Sequence, residues 1–379
     1  MSRKDKKSFL SGSSSFLSSI IAILVGLVFG FIILLISDPS KAVDGLIIML
    51  KGGFNGGPKG VGQMLYHATP LILTGLSVGF AFKTGLFNIG ASGQLITGAF
   101  AAIWTAVNWQ PYLPGALAWI VPILVAMLVG GLWAALPGIF KAFLGVNEVI
   151  SCIMMNYIGM YGVNYLIKMT NVYNQLKNQT VNVPAASALP SGGLDKIFFE
   201  QMGRLVRASS VNIGIYIAIA AAIIIYILLN KTTFGYELKA CGLNRNASRY
   251  AGINEKRSIV LSMVIAGALA GLAGAVMYLA KSDGLHIDVV DVLAPQGFNG
   301  IPVALLGLSN PIGIIFSGVF IAHLEQGGYY LQKLNYMPEI IDIIIGAIIY
   351  FSAFALIFKN AINALARRIG RKRDKGAEQ

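Results

Sequence analysis

The stretch FLSSIIAILVGLVFGFIILLI, residues 16–36, contains no charged residue. A hydrocarbon core about 30 Å thick needs roughly 20 apolar residues in a helix, so this stretch alone predicts a transmembrane helix. It follows the basic segment MSRKDKKSFL and lacks the small-residue cleavage pattern of a signal peptide. We therefore expect a retained membrane anchor.

The composition extends the membrane prediction to the whole chain. Of its 379 residues, 56% are hydrophobic and only 12% are charged, and the mean hydropathy is +0.70. Soluble proteins carry about 25% charged residues, which excludes the soluble classes. The net charge of +13 then indicates membrane faces rather than a nucleic-acid partner. Cys152 and Cys241 lie in separate segments and predict neither a disulfide nor a metal site.

Further uncharged runs predict an all-α, polytopic membrane protein of about ten transmembrane helices. The predicted spans are 16–36, 62–82, 87–108, 115–136, 147–167, 211–229, 258–280, 294–309, 311–331 and 339–358. The segment 294–309 is short, so we expect a tilted or broken crossing. An even number of spans places both termini on one side of the membrane.

The basic residues place that side in the cytoplasm. With the N-terminus inside, 19 of the 29 Lys and Arg residues are cytoplasmic, as the positive-inside rule requires. The resulting plan has a basic N-tail at 1–15, a transmembrane domain at 16–358 with an external loop at 170–210 and a cytoplasmic loop at 231–257, and a basic C-tail at 359–379. We expect a short helix in the external loop, near Lys196 to Val206.

The polar residues inside the spans are mostly uncharged amides and hydroxyls. Asn88 and Ser92 are four positions apart, which predicts that they share one helix face. Such groups suit the path of a neutral polar solute, although hydrogen bonds between helices explain them equally well. The solute-path candidates from this pattern are Asn88, Ser92, Gln94, Asn156, Tyr157 and Asn299.

A weak internal echo connects two of these candidates. FNIG, residues 87–90, opens the third predicted span, and FNGI, residues 298–301, opens the eighth. Spans five apart enter the membrane from opposite faces, so the echo predicts an inverted repeat of five plus five helices.

The cytoplasmic loop contains the pattern of a short capped helix. Asn244 is a predicted N-cap and Gly252 a predicted C-terminal cap. Ala247, Tyr250 and Ala251 then fall on one side, forming a small knob for a groove on another protein. The alternative is an interfacial loop whose basic residues bind lipid headgroups.

The chain lacks a GxxxxGK[ST] phosphate loop and the HExxH, GxSxG and Cys/His patterns. We therefore expect no catalytic residue, no metal site and no enzyme activity in this chain. A rival hypothesis is a proton-coupled secondary transporter that uses His323 and Glu325 as a relay.

Four ordered stretches resemble bacterial ABC importer permeases of the ribose and branched-chain amino acid class, most closely those of nucleoside and simple-sugar uptake. They are GLFNIGASGQLITGAF (85–100), GVNEVISCIMMNYI (145–158), CGLNRNASRYAGI (241–253) and GFNGIPVALLGLSNPIG (297–313). The resemblance implies a second permease, a cytoplasmic ATPase that binds ATP and Mg²⁺, an extracellular solute-binding lipoprotein and a bacterial cell membrane. It implies no cofactor in this chain.

The resemblance also implies roles for particular residues. Those that match the ATPase-coupling loop are Gly242, Asn244, Ala247, Tyr250, Ala251, Gly252 and Ile253. Asn88 and Gln94 match the third-span motif, and Phe298 and Asn299 match the eighth-span motif, which adds Phe298 to the solute-path candidates.

Overall fold

Each of the ten predicted apolar segments coincides with a helix in the computed structural model, which describes residues 3–202, 205–280, 286–354 and 357. Among these residues the helices are α1 (Arg3–Ser37), α2 (Ala42–Lys51), α3 (Gly57–Lys83), α4 (Ala91–Asn108), α5 (Leu117–Leu144), α6 (Glu148–Met169), α7 (Gly214–Lys231), α8 (Thr233–Leu243), α9 (Arg245–Tyr250), α10 (Glu255–Tyr278), α11 (Pro295–Leu306), α12 (Pro311–Leu331) and α13 (Pro338–Ala353). Helices α2 and α8 lie where we expected loops.

Six helical stretches of the described chain are long and apolar enough to cross a membrane. They are Ile20–Ser37, Ala42–Lys83, Leu117–Leu144, Glu148–Met169, Gly214–Lys231 and Glu255–Tyr278. The second stretch joins α2 and α3 through a 3-10 turn at Gly52–Gly56. The chain is therefore a mostly helical, multi-pass membrane protein.

The centre of the bundle is a close crossing of α10 with α5 and α4. A Cβ atom on Gly271 would lie 2.2 Å from the carbonyl oxygen of Ala126, and one on Gly274 would lie 2.3 Å from that of Leu95. Glycines permit this approach because they present no side chain to the neighbouring backbone. Helix α3 also depends on a glycine, since a Cβ on Gly75 would lie 2.6 Å from the Cγ1 atom of the Val303 side chain on α11.

Irregular backbone precedes both α4 and α11. The chain leaves α3 after Lys83 and starts α4 only at Ala91. Our placement of Asn88 and Ser92 on one helix face is therefore wrong, because Asn88 precedes the helix. Similarly, the described residues 286–294 form no regular helix or strand before α11 starts at Pro295.

The connections cluster at two ends of the bundle. At one end, Gly85 contacts Gly242 of α8, and Lys256 lies over the ring of Phe143 at 4.9 Å. We call this the coupling-loop end. At the other end, the Asn171 side chain donates to Asn108 Oδ1 at 2.7 Å.

That other end, the hairpin end, carries two short antiparallel hairpins. Strands β1 (Tyr173–Asn174) and β2 (Gln179–Thr180) form the first, and β3 (Phe199–Met202) and β4 (Leu205–Ala208) the second. Our prediction of a short helix near Lys196 to Val206 is therefore wrong. Pairing of Phe199 with Ala208 depends on cross-strand contacts that a local pattern does not reveal.

The predicted tails differ in what the structure describes. Helix α1 begins at Arg3, so the described part of the predicted N-tail continues the first helix. The predicted C-tail, 359–379, lies outside the described residues.

Candidate functional site

Helix α9 stands at the coupling-loop end with the caps that the sequence predicts. The Asn244 side chain accepts a hydrogen bond from the Ala247 N–H at 3.1 Å, which confirms it as the N-cap. At the other end the Gly252 N–H donates to Arg249 O and the Ile253 N–H to Ser248 O, both at 3.0 Å. This pattern is a Schellman motif, and Gly252 supports it with a φ of +83°.

The predicted knob is exposed. Ala247, Ala251 and Gly252 are exposed, and 94% of the Tyr250 surface is accessible. The half-buried Ile253 ends the turn, and Asn254 then caps α10 by accepting from the Arg257 N–H at 3.1 Å. A short helix fixed at both ends presents a rigid, small-residue surface of the kind that docks into a groove.

Helix α8 connects this surface to the bundle. A Cβ on Gly242 would lie 2.5 Å from the carbonyl carbon of Thr84 and 2.6 Å from the nitrogen of Gly85. These residues start the irregular segment before α4. Helix α8 is therefore in direct backbone contact with the start of residues 84–90.

A buried amide cluster occupies that irregular segment. Asn88 Nδ2 donates to Gln94 Oε1 at 2.8 Å, and Gln94 Nε2 donates back to Asn88 Oδ1 at 2.9 Å. Asn88 Nδ2 also donates to Ser77 Oγ of α3 at 3.2 Å. Both amides are fully buried and satisfied by protein partners, so in this conformation they do not face an open path.

Two further candidates join the same cluster to its neighbours. Asn156 of α6 accepts from the Gly93 N–H at 2.8 Å and donates to Ile89 O at 3.0 Å. Ser92 donates to Ala294 O at 2.9 Å, just before α11. The structure thus brings Asn88, Ser92, Gln94 and Asn156 together at the junction of α3, α4, α6 and α11, and solute contact by these residues stays a prediction.

The remaining candidates lie apart from that junction. Tyr157 is 46% exposed on the opposite face of α6. Phe298 and Asn299 are half-buried in the first turn of α11. Asn299 Nδ2 approaches Glu325 Oε1 at 3.4 Å on the wall of a cavity of about 430 Å³ between α11, α12 and α13.

The two residues of the rival relay have different neighbours. His323 Nε2 lies 3.0 Å from Leu50 O and its ring packs against Phe54. Glu325 points instead toward Asn299. The structure shows no hydrogen bond between His323 and Glu325 among the described residues.

The sequence did not reveal the contact of α8 with residues 84–90 or the role of Ser77. Gly85 gave one signal, because a glycine at a span boundary is a residue that readily adopts positive φ in a turn, and its φ is +73°. The partner of that turn, however, depends on tertiary packing.

Comparisons with known proteins identify the family of this chain. Residues 60–353 match the family model described as branched-chain amino acid transport system / permease component. The chain is 38% identical over 358 residues to the guanosine ABC transporter permease protein NupP of Bacillus subtilis, covering 94% of this chain and 98% of that protein. It is 37% identical over 354 residues to the nucleoside ABC transporter permease protein NupB of Lactococcus lactis, covering 89% and 91%.

A second Bacillus subtilis protein, the guanosine ABC transporter permease protein NupQ, is 28% identical over 270 residues, which cover 69% of this chain and 79% of that protein. No solved structure matches the chain.

Proposed function

Because this chain belongs to the family of permease components of branched-chain amino acid transport systems, we propose that it is the membrane permease subunit of an ATP-driven importer of nucleosides. The names of NupP and NupB support nucleosides as the substrate class. The structural observation that carries the proposal is α9, an exposed helix capped at both ends whose supporting helix touches the backbone leading into α4.

Energy for transport enters through α9. ATP and Mg²⁺ bind to a partner ATPase, and closure of its two halves moves the surface formed by Ala247, Tyr250 and Ala251. Helix α8 transfers this movement to residues 84–90 through Gly242. The amide cluster of Asn88 and Gln94 then carries it to α4, α6 and α11. The chain itself performs no catalysis.

The complete importer contains further subunits. NupP and NupQ are two different guanosine permease proteins of one organism, which supports a second permease subunit beside this chain. An extracellular solute-binding lipoprotein docks at the hairpin end and sets most of the substrate affinity. The assembly resides in a bacterial cytoplasmic membrane.

Ten crossings and an inverted repeat complete the proposal. Helix α10 packs against α4 and α5, and α3 packs against α11 and α12, which is the exchange expected of two related halves. In addition, α4 and α11 occupy corresponding places, and each follows an irregular segment. Both termini then lie in the cytoplasm, with α8 and α9.

The function is tested by uptake of labelled guanosine into cells that contain the complete importer. Import should stop when the partner ATPase is inactivated, and it should persist when a protonophore collapses the proton gradient while ATP is maintained. The opposite pair of results would revive the relay of His323 and Glu325, which the comparisons do not favour.

A further inference from the structure

One face of α6 carries three tyrosines in places where a lipid-facing helix carries aliphatic residues. Tyr157, Tyr161 and Tyr165 are spaced four apart, so they stack along one side of the helix. They are 46%, 54% and 61% exposed. The opposite side of α6 packs against α4 and α5.

The position of these phenols along the helix is unusual. Helix α6 has 22 residues and is about 33 Å long at a rise of 1.5 Å per residue. Tyr157 and Tyr161 therefore lie within about 4 Å of its midpoint. Tyrosine is enriched at membrane interfaces, where its hydroxyl reaches water, rather than at mid-depth.

Helix α5 provides the contrast. Its exposed face carries Leu124, Leu128 and Leu132, which are 56%, 62% and 61% exposed and suit contact with lipid tails. In lipid, the hydroxyl groups of Tyr157 and Tyr161 would have no hydrogen-bond partner, which is costly. The same face also exposes the apolar Ile150, Met154 and Ile158. The three phenol groups, rather than the face as a whole, therefore indicate contact with a polar medium.

The irregular segment 286–294 runs beside the same helix. Asn164 of α6 donates to Val290 O at 3.0 Å and to Asp291 Oδ1 at 3.1 Å. The segment reaches Ser92 at Ala294, and the adjacent Gly93 contacts Asn156. It thus follows the middle of α6 from the level of Asn164 toward that of Asn156.

One residue of this segment, Asp291, also favours a polar medium. Non-helical backbone at membrane depth is tolerated where protein buries it or where it borders a water-filled cavity. Val290, Asp291 and Val292 are exposed in the structure. Asp291 adds a carboxylate that forms no salt bridge among the described residues.

We propose that Tyr157, Tyr161 and Tyr165, together with Asp291, form a solute-contacting surface of the translocation path. The phenol rings stack with the nucleobase, and the Asp291 carboxylate accepts hydrogen bonds from the ribose hydroxyls. Rings and carboxylate match the two chemical parts of a nucleoside. This inference rests on the proposed function for the identity of the solute.

Accessibility to a water-soluble reagent tests the surface independently of transport rate. Tyr161→Cys is introduced into a chain carrying Cys152→Ala and Cys241→Ala, within the complete importer, and treated with a membrane-impermeant thiol reagent. Leu128→Cys on α5 is the matched control. We expect Tyr161→Cys to react at least about tenfold faster than Leu128→Cys. The reagent reacts with the thiolate, and a cysteine surrounded by lipid stays a neutral thiol. Saturating guanosine should slow the Tyr161→Cys reaction.

The outcomes distinguish failure of the proposed α6 surface from failure of the proposed function. Failure of Tyr161→Cys to react faster than the control overturns the surface, whether lipid or the second permease covers it. Reaction without protection by guanosine, in an importer whose parent chain takes up guanosine, overturns the solute contact. If the parent chain takes up no nucleoside, the proposed function fails, and reactivity alone then decides whether the face borders water.

Kinetics provide a second test. Tyr161→Leu should raise the KM for guanosine import by about tenfold, the scale of one lost base-stacking contact, whereas Tyr161→Phe should stay within about twofold. Tyr216→Leu, which removes an exposed tyrosine in the first turn of α7, should leave the KM unchanged.

Asp291→Asn should weaken the preference for guanosine over 2′-deoxyguanosine about fivefold, since a hydrogen bond to a charged acceptor is lost. Equal KM values for Tyr161→Leu and Tyr161→Phe, or an unchanged preference in Asp291→Asn, would contradict the assignment.

Discussion

Gly85 and Gly242 meet backbone to backbone, so that a Cβ atom on Gly85 would lie only 2.4 Å from the Cα of Gly242. One residue precedes the buried amide cluster, and the other lies just before the exposed helix α9. In the proposed mechanism, motion of the coupling-loop end enters the bundle at this contact.

Gly85→Ala should therefore uncouple the importer. The substitution clashes with Gly242 and also imposes a side chain on a backbone with a φ of +73°. Gly145→Ala is the matched control, because Gly145 has a φ of +68° and open space around its Cβ position. Backbone strain alone costs about 1–2 kcal/mol in either variant. We expect guanosine import to be lost in Gly85→Ala only, as measured by uptake at equal membrane content. Equal import by the two variants would show that the contact has no role in coupling.

Ala251→Glu should block docking of the ATPase. It places a charge on the exposed knob beside Tyr250, and burying an unpaired charge in an interface costs about 2 kcal/mol or more. Co-purification of the ATPase should fall at least about tenfold while membrane insertion is retained. Thr233→Glu adds the same charge at the exposed first residue of α8 and should change nothing. Normal co-purification and import in Ala251→Glu would refute the docking role.

Asn88 and Gln94 should behave as one unit in stability measurements. Either Asn88→Leu or Gln94→Leu leaves a buried amide without its partner, which is more costly than removing both. A double-mutant cycle on purified protein in detergent should give a coupling energy of about 1 kcal/mol. Strict additivity would mean that the two amides do not depend on each other.

Asn299→Leu should act on transport rather than on stability. Asn299 is half-buried beside an open cavity, and its contact to Glu325 is long at 3.4 Å. We expect lower guanosine import with a stability change under about 1 kcal/mol. Asn299→Gln keeps an amide at this wall and should retain more import. A large loss of stability in Asn299→Leu would assign the residue to packing.

Gly271→Ala should destabilise the central crossing, because its Cβ would lie 2.2 Å from the Ala126 carbonyl oxygen. Overpacking of this kind costs about 1–3 kcal/mol. Gly162→Ala on the exposed side of α6 has open space and should be neutral or stabilising. Thermal unfolding in detergent compares the two, and equal melting temperatures would contradict the close crossing.

The helices of this protein were predictable because the membrane makes a long uncharged run decisive. Caps were equally predictable, since Asn244 and Asn254 bond to N–H groups only three residues away. Residues 87–90 were wrongly placed in the third span, because Asn88 is held by Ser77 and Gln94 rather than by helical bonds. Strands β3 and β4 were missed for the same reason, since their pairing is tertiary.

The solute-path candidates show a similar limit. The sequence shows that a predicted membrane helix contains polar residues. It does not show which side of that helix packs against its neighbours. Asn156 and Tyr157 are adjacent in sequence, yet Asn156 is buried against Gly93 and Tyr157 is exposed. Tyr161 and Tyr165 gave no sequence signal beyond their spacing, because their meaning depends on the face of α6 left uncovered.

The irregular segment before α11 has a thermodynamic consequence. At the hairpin end, the Thr180 N–H donates to Ile287 O at 3.0 Å, and at its other end Ala294 O accepts from Ser92 at 2.9 Å. One short tether thus connects the β1–β2 hairpin to the junction that α8 moves in the proposed mechanism. Coupling free energies are reciprocal. If ATP binding in the cytoplasm weakens the grip of an external binding protein on the hairpins, then docking of that protein must weaken ATP binding by the same factor.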